Sequence, residues 1–382
     1  MPDGSLGFSP APRGNPTGTP LPGVRKGRGA LSNPANRYER SVRDPFDDGW
    51  STLEAALADL PPLATTLTRD NARRALSWND SPDLGFDRSI NPYRGCEHGC
   101  IYCYARPTHA WLGLSPGLDF ETRLVFKPEV AAILERELRR PGYVARPIAL
   151  GSNTDPYQPV ERTLKLTRQV LEVLDRFNHP VTIVTKSAGV LRDLDILGRM
   201  AQRNLVHVCL SITTLDDRLA RVMEPRAAAP TRRLAAVRAL AEAGIPVGVL
   251  AAPMIPGVND AEMERILGAA RDAGATRAAY VLLRLPLEIA EMFEGWLHAH
   301  FPERAAKVLK LIRETRGGGM YDSRFGTRQV GTGAYAETIA QRFALALRRH
   351  GFEQAGQNNR LDCASFAPPR DTALEPEQLA LF

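Results

Sequence analysis

The sequence predicts a parallel α/β fold: a partial barrel of six βα units with an N-terminal extension and C-terminal helices. Three observations carry this expectation. Apolar runs of strand length alternate with longer stretches patterned for helices. The runs are rich in Val, Ile, Leu and Ala, as strands covered on both faces must be. Counted from residues 87–90 they number six, which suits a partial or open barrel better than a complete eight-fold one.

Residues 1–37 are dense in Pro, Gly and small polar residues, with a basic cluster at Arg25, Lys26 and Arg28. Such composition buries little apolar surface and predicts a disordered arm. Short helical character near residues 53–60 and polar connections complete an irregular extension over 1–75. The core is expected over 76–290. Its first strand, 87–90, leads into a cysteine-rich loop. The stretch 122–126 reads as extended and leaves the strand count open by one. Pro128 then opens a helix to about residue 139, in the position where Pro is tolerated. Strands follow at 147–150, 181–185, 206–211, 247–252 and 278–283. Helices separate them at 163–177, 191–203, 231–243 and 261–273, with Gly244 and Gly274 as C-terminal stops. A C-terminal helical segment over 291–350 is interrupted by a Gly- and Arg-rich loop from Arg316 to Gly333. A loose tail over 351–382 ends the chain.

At 382 residues the chain exceeds one ordinary hydrophobic core. A net charge of +6 permits contact with nucleic acid or another polyanion, though a solvated Arg-rich surface explains it as well. Five cysteines, three of them crowded together, point to a reducing compartment and metal chemistry instead of disulfides. No secretory signal is visible, and the longest apolar stretch, 247–258, contains Pro253 and Pro256 and is too short to span a bilayer. The expectation is a soluble cytoplasmic protein with no membrane partner.

The three cysteines, Cys96, Cys100 and Cys103, stand in R-G-C-E-H-G-C-I-Y-C-Y with the spacing C-x3-C-x2-C. Soft thiolates select zinc, copper(I) or iron–sulfur clusters. A fully protein-ligated 4Fe–4S cluster uses four cysteines, so three would leave one iron free for a ligand that is not protein. A zinc knuckle completed by His98 is the competing reading. It is the weaker one, because zinc sites pair C-x2-4-C with a distant second pair.

Other polar residues fall where the predicted strands end, the end at which α/β barrels collect reactive groups. They are Ser152, Asn153, Thr154 and Asp155, then Lys186 and Ser187, then Ser211, and finally Met254 and Arg284. Cys209 shares a strand face with His207 and Ser211 and reads first as a small buried hydrophobe. Cys363 reads as a bystander thiol, or else as a mobile hydrogen donor. The 316–333 loop mixes Arg316, Arg324 and Arg328 with Tyr321 and Phe325. That mixture suits a surface hairpin, a lid over the barrel mouth, or a single-stranded nucleic-acid surface.

The cysteine spacing, with Tyr102 before the last cysteine, resembles the signature of the radical SAM enzymes. The run N-P-Y-R-G-C-E-H-G-C-I-Y-C-Y-A resembles the branch related to spore photoproduct lyase. V-T-K-S, L-S-I-T-T, M-E-P-R-A-A-A-P-T-R-R-L and A-E-A-G-I-P-V-G-V-L-A-A-P-M-I-P extend the likeness over roughly residues 85–290. The resemblance implies a radical SAM barrel holding a 4Fe–4S cluster on Cys96, Cys100 and Cys103, with S-adenosyl-L-methionine (SAM) chelating the fourth iron. It implies reductive cleavage of SAM to a 5′-deoxyadenosyl radical that abstracts hydrogen from a substrate. It further implies an electron donor such as flavodoxin or ferredoxin. By the same resemblance Tyr102, Ser152, Asn153, Asp155, Lys186 and Ser211 bind SAM. His98 reads first as a polar loop side chain, or else as a proton relay near the cluster. The lyase carries a hydrogen-donating cysteine just past its second strand; here that segment reads A-L-G-S-N-T-D-P-Y, with Gly151 and Ser152 and no thiol. A relative with a different substrate, possible nucleic acid among the candidates, is expected. The alternatives are a non-catalytic iron–sulfur redox or sensor protein and a zinc-stabilised nucleic-acid-binding module.

Overall fold

The computed structural model describes residues 27–39, 63–353 and 361–369. Among these residues ten strands form: β1 (Thr66–Arg69), β2 (Leu76–Trp78), β3 (Arg88–Ile90), β4 (Tyr93–Arg94), β5 (Arg123–Phe126), β6 (Ile148–Leu150), β7 (Val181–Thr185), β8 (Val206–Ser211), β9 (Val247–Met254) and β10 (Arg277–Leu282). Seven join one open sheet in the order β10-β9-β8-β7-β6-β3-β2. Every pairing from β3 through β10 is parallel, and β2 closes that edge antiparallel to β3. The six parallel strands are the six expected units, in sequence order. The extended stretch at 122–126 is real but lies elsewhere. It forms β5 in a separate three-stranded sheet, β1-β5-β4, so it adds nothing to the barrel.

The parallel strands are covered by helices Leu166–Arg176, Leu194–Gln202, Pro230–Glu242 and Met263–Asp272. Val181, Ile183, Val206, Val208, Leu210 and Val249 are completely buried against them. The helix expected at 163–177 is broken, because Lys165 takes a left-handed conformation (φ 52°) between Glu161–Leu164 and Leu166–Arg176. Helices Ile289–His300 and Pro302–Glu314 build a second core around Phe293 and Trp296, and this core includes Cys100, Ile101 and Tyr102. The cysteine loop is therefore clamped between the barrel and the C-terminal helices.

Composition alone places residues 27–37 in a disordered arm; they are instead packed beneath the cysteine loop. Arg28 and Ala30 are buried. Gly29 and Ala30 donate their backbone N–H groups to the Glu121 carboxylate at 3.1 and 2.8 Å. Arg106 donates to the same carboxylate at 2.5 Å, and that pair is wholly enclosed. A Cβ on Gly29 would lie 1.8 Å from the Gly99 carbonyl, so only glycine permits this approach. Part of the expected loose tail is also seated. Phe366 packs on Tyr143, Phe177 and His179 at the opposite end of the barrel. The helical character expected near 53–60 lies outside the described residues.

Candidate active site

The cysteine loop leaves β3 at the C-terminal end of the sheet and returns through the turn Arg106–Leu112. Gly95 and Gly99, both at positive φ, let it fold tightly against residues 120–124. Local bonds hold it on every side. Cys96 donates its N–H to Phe120 O at 2.9 Å, Ile101 donates to Met223 O at 3.1 Å, and Arg226 donates to His98 O at 3.2 Å. Gln158, fully buried after β6, donates to Gly95 O at 3.2 Å and accepts from the Glu97 N–H at 2.9 Å. Cys96 and Cys100 are buried and Cys103 is half-buried, and all three thiols are free. Burial pushes the Cys96 thiol up, and the Cys100 thiol up to about 12. Thiols held protonated in this way are poor free nucleophiles, and binding a metal requires that they give up their protons.

The turn after β6 carries Ser152, Asn153 and Asp155. Asn91, just past β3, donates to Ser152 Oγ at 3.1 Å and accepts from the Asn153 N–H at 3.0 Å. The Asp155 carboxylate is consumed by the protein. It accepts from Thr185 Oγ1 at 2.7 Å, the Lys186 N–H at 2.8 Å and the Tyr157 N–H at 2.9 Å, and it lies 3.3 Å from His98 Nδ1. Burial would raise its pKa, but His98 and these donors outweigh burial and hold it at about 2. Asp155 thus ties β6, β7 and the cysteine loop together. Among the described residues no three His, Cys, Asp or Glu side chains could hold a metal ion as a group. A mononuclear zinc site needs that convergence, whereas a cubane places each thiolate on a different iron.

Lys186 follows β7 and is partly buried. Its ammonium sits 5.7 Å from the centre of the Tyr102 ring and makes no hydrogen bond or ion pair among the described residues. Burial lowers its pKa, but Cys100 and Glu224 more than compensate, so it stays charged. Ser211 ends β8; its hydroxyl is buried and donates to Ala252 O at 3.1 Å. Tyr102 is buried too, with its hydroxyl bonded to the Glu224 carboxylate and 3.3 Å from Thr213 Oγ1. Glu224 is ion-paired with Arg233, which donates to Ser211 O at 3.0 Å. Burial favours the neutral acid, yet Arg233 and Lys186 hold Glu224 at about 2.

The strand-end residues singled out in the sequence therefore lie on one face of the barrel. Lys186, Asn153 and the Ser152 hydroxyl retain hydrogen-bonding capacity; Asp155, Ser211 and Tyr102 are engaged within the protein. Glu224, Thr213 and Arg233 escaped sequence reasoning, although Glu224 and Arg233 lie in the quoted M-E-P-R-A-A-A-P-T-R-R-L run. Nothing local marks them, since Tyr102 and Glu224 are 122 residues apart. Cys363 is at the other end of the barrel, beside Asp362, whose N–H bonds to Asn204 O before β8. That position removes it from the mouth as a hydrogen donor. Gly151 has φ +89°, and a Cβ there would meet Val184 O at 2.1 Å, so the backbone admits no cysteine at this position.

The donor set fits a cluster with an open iron. It comprises three thiols in one loop and an unpaired ammonium beside Cys100, where a ligand carboxylate would find a partner. Comparison with known proteins agrees. Residues 90–270 match the radical SAM superfamily. The uncharacterized protein Rv2578c of Mycobacterium tuberculosis is 35% identical over 350 residues, covering 90% of this chain and 92% of the relative. The uncharacterized protein MJ0683 of Methanocaldococcus jannaschii is 28% identical over 214 residues, covering 56% of this chain and 76% of the relative. Spore photoproduct lyase complexed with dinucleoside spore photoproduct superposes with a TM-score of 0.54 at 17% identity, covering 74% of this chain and 79% of the lyase. A variant of that lyase with bound AdoMet gives 0.53 at 16% identity, covering 74% and 78%. At these identities the lyase shares the fold. No helix among the described residues is long and apolar enough to cross a membrane. The chain belongs to the radical SAM superfamily, whose enzymes work with a 4Fe–4S cluster and SAM.

Proposed function

We propose that Cys96, Cys100 and Cys103 hold the 4Fe–4S cluster and that SAM binds between it and the exits of β6, β7 and β8. The observation that carries this reading is the unpaired Lys186 ammonium facing the cysteine loop. When bound, the cluster and SAM supply a 5′-deoxyadenosyl radical for hydrogen abstraction. Lys186 holds the methionyl carboxylate. Ser152 and Asn153 present a hydroxyl and an amide to the methionyl amine. Tyr102 packs its ring beside the nucleoside, while Glu224 and Arg233 keep that ring in place. Asp155 and Ser211 act as positioning residues: Asp155 sets Lys186 and His98, and Ser211 pins β8 to β9. The second core excludes water from Cys100 and Tyr102. A flavodoxin- or ferredoxin-type protein supplies the electron, and the substrate differs from the lyase's, because the segment past the second barrel strand carries Gly151 and Ser152 and no thiol.

The test is anaerobic reconstitution with iron and sulfide, followed by dithionite and SAM. The expected result is about four irons per chain and release of 5′-deoxyadenosine. Lys186→Ala should retain iron but bind SAM at least about tenfold more weakly, the loss of one charge-assisted contact. Zinc without iron, or a reconstituted cluster whose spectrum ignores SAM, would refute the reading.

A further inference from the structure

Across the mouth from Lys186 lie two further cations that make no ion pair among the described residues. Arg284 follows β10, and its guanidinium stacks on the Tyr104 ring at 5.2 Å. Its one hydrogen bond among the described residues is a long one, Nη2 to the Tyr321 hydroxyl at 3.4 Å. Its Nε is enclosed and has no acceptor. A guanidinium carries five N–H donors, so most of this fork is unused. Behind it, Arg316 is buried, and its Nη groups donate to Leu282 O, Leu283 O, Thr327 O and Arg328 O, while its Nε also lacks an acceptor. Burial, and then Arg284 beside it, pushes the Arg316 guanidinium down to about 10.

Other inward arginines near the mouth are met by acids. Arg233 meets Glu224, and Arg226 meets Glu97 at 3.1 Å. The loop's own acid, Asp322, is held by Arg324 at 2.8 Å. Among the described residues no carboxylate is left within ion-pair range of Arg284 or Arg316. Two neighbouring cations, partly desolvated and with no acid in ion-pair range, are unfavourable in the free protein. Tyr104 is 45% exposed, so the ring beneath Arg284 opens onto the mouth. It directly follows Cys103, and its hydroxyl bonds to Ser152 O across the opening.

We propose that Arg284, backed by Arg316 and flanked by Tyr104 and Tyr321, binds an oxyanion of the substrate, a phosphate or a carboxylate, at the barrel mouth. The inference deepens the proposed function and rests on its placing the substrate there. Lys186 takes the carboxylate of SAM, so a second anion needs a second receptor. Arg316 raises the positive potential and holds the 316–333 loop to β10, which fixes Tyr321 opposite Tyr104. The planar guanidinium suits a bidentate oxyanion, and the two rings give a flat substituent on that oxyanion a surface to stack on.

The test uses the reconstituted full-length chain with SAM and three probes titrated calorimetrically: inorganic pyrophosphate, citrate and a short oligothymidylate. Arg284→Gln should weaken binding of the preferred probe at least about tenfold, and Arg284→Lys by less, because the charge stays and the fork goes. Arg238→Gln, on the exposed face of Pro230–Glu242, should leave it within twofold. Preference for pyrophosphate or citrate identifies a small phosphate or carboxylate. Preference for the oligonucleotide, with affinity falling steeply in salt, identifies a phosphodiester. Each of these upholds the subsite. Ligand-free Arg284→Gln should melt no lower than the parent, since it removes an uncompensated cation. Binding unchanged in Arg284→Gln, or no binding of any probe by the parent, overturns the proposal. SAM cleavage in the same samples is scored separately, so failure of the enzymatic reading would be seen apart from failure of the subsite.

Discussion

Glu224 illustrates how a single residue can organise a site without touching its ligands. Its carboxylate joins Tyr102, Thr213 and Arg233 in one enclosed network. Glu224→Gln preserves shape but strands the Arg233 guanidinium, and losing one partner of a buried pair costs about 3–5 kcal/mol. Urea denaturation should report a loss of that size. The pH dependence follows from the depressed carboxylate. Its stabilisation is complete above about 4.5, the ordinary value, and is lost as pH falls toward about 2. The parent should therefore weaken across that window, and Glu224→Gln should weaken less steeply. The three cysteines were legible because their ligand chemistry is local and compact. Glu224 was not, since its partners come from the exit of β8, the cysteine loop and the helix Pro230–Glu242. Asp155 was legible as a strand-end acid, but its engagement with Thr185 and the Lys186 N–H depends on strand neighbours that spacing does not reveal.

At the scale of elements, apolar runs marked the six parallel strands well, because strands buried on both faces have no other composition open to them. The short strands β1, β2 and β4 escaped, being two to four residues long with largely exposed side chains. The seating of residues 27–37 also escaped, because its apolar content is low and it is held by Glu121 instead of by a core. Gly29→Ala tests that seating. The new Cβ has nowhere to go against the Gly99 backbone. Hydrogen exchange at the Gly29 and Ala30 amides, both bonded to Glu121, should accelerate at least about tenfold. Unchanged protection would show that the segment tolerates the methyl and that its contact with the loop is loose.

The whole molecule separates chemistry from support along the barrel axis. The mouth gathers the cysteines, Lys186 and Arg284, while the floor is closed by residues 361–369 through Phe366. Phe366→Ala should lower stability by about 2 kcal/mol, less than a fully buried ring because Phe366 is only partly buried. 5′-Deoxyadenosine formation per folded molecule should be unaffected; a matching loss of turnover would show that floor and mouth are coupled. The packing of the N-terminal segment has a further consequence for biosynthesis. Arg28, Gly29 and Ala30 leave the ribosome first, yet their anchor, Glu121, follows more than 90 residues later. The helices that pack on Cys100 and Tyr102 follow later still, beyond residue 288. The direction of translation thus leaves the cysteine loop accessible to assembly machinery until the C-terminal helices, made well after Glu121, close over it.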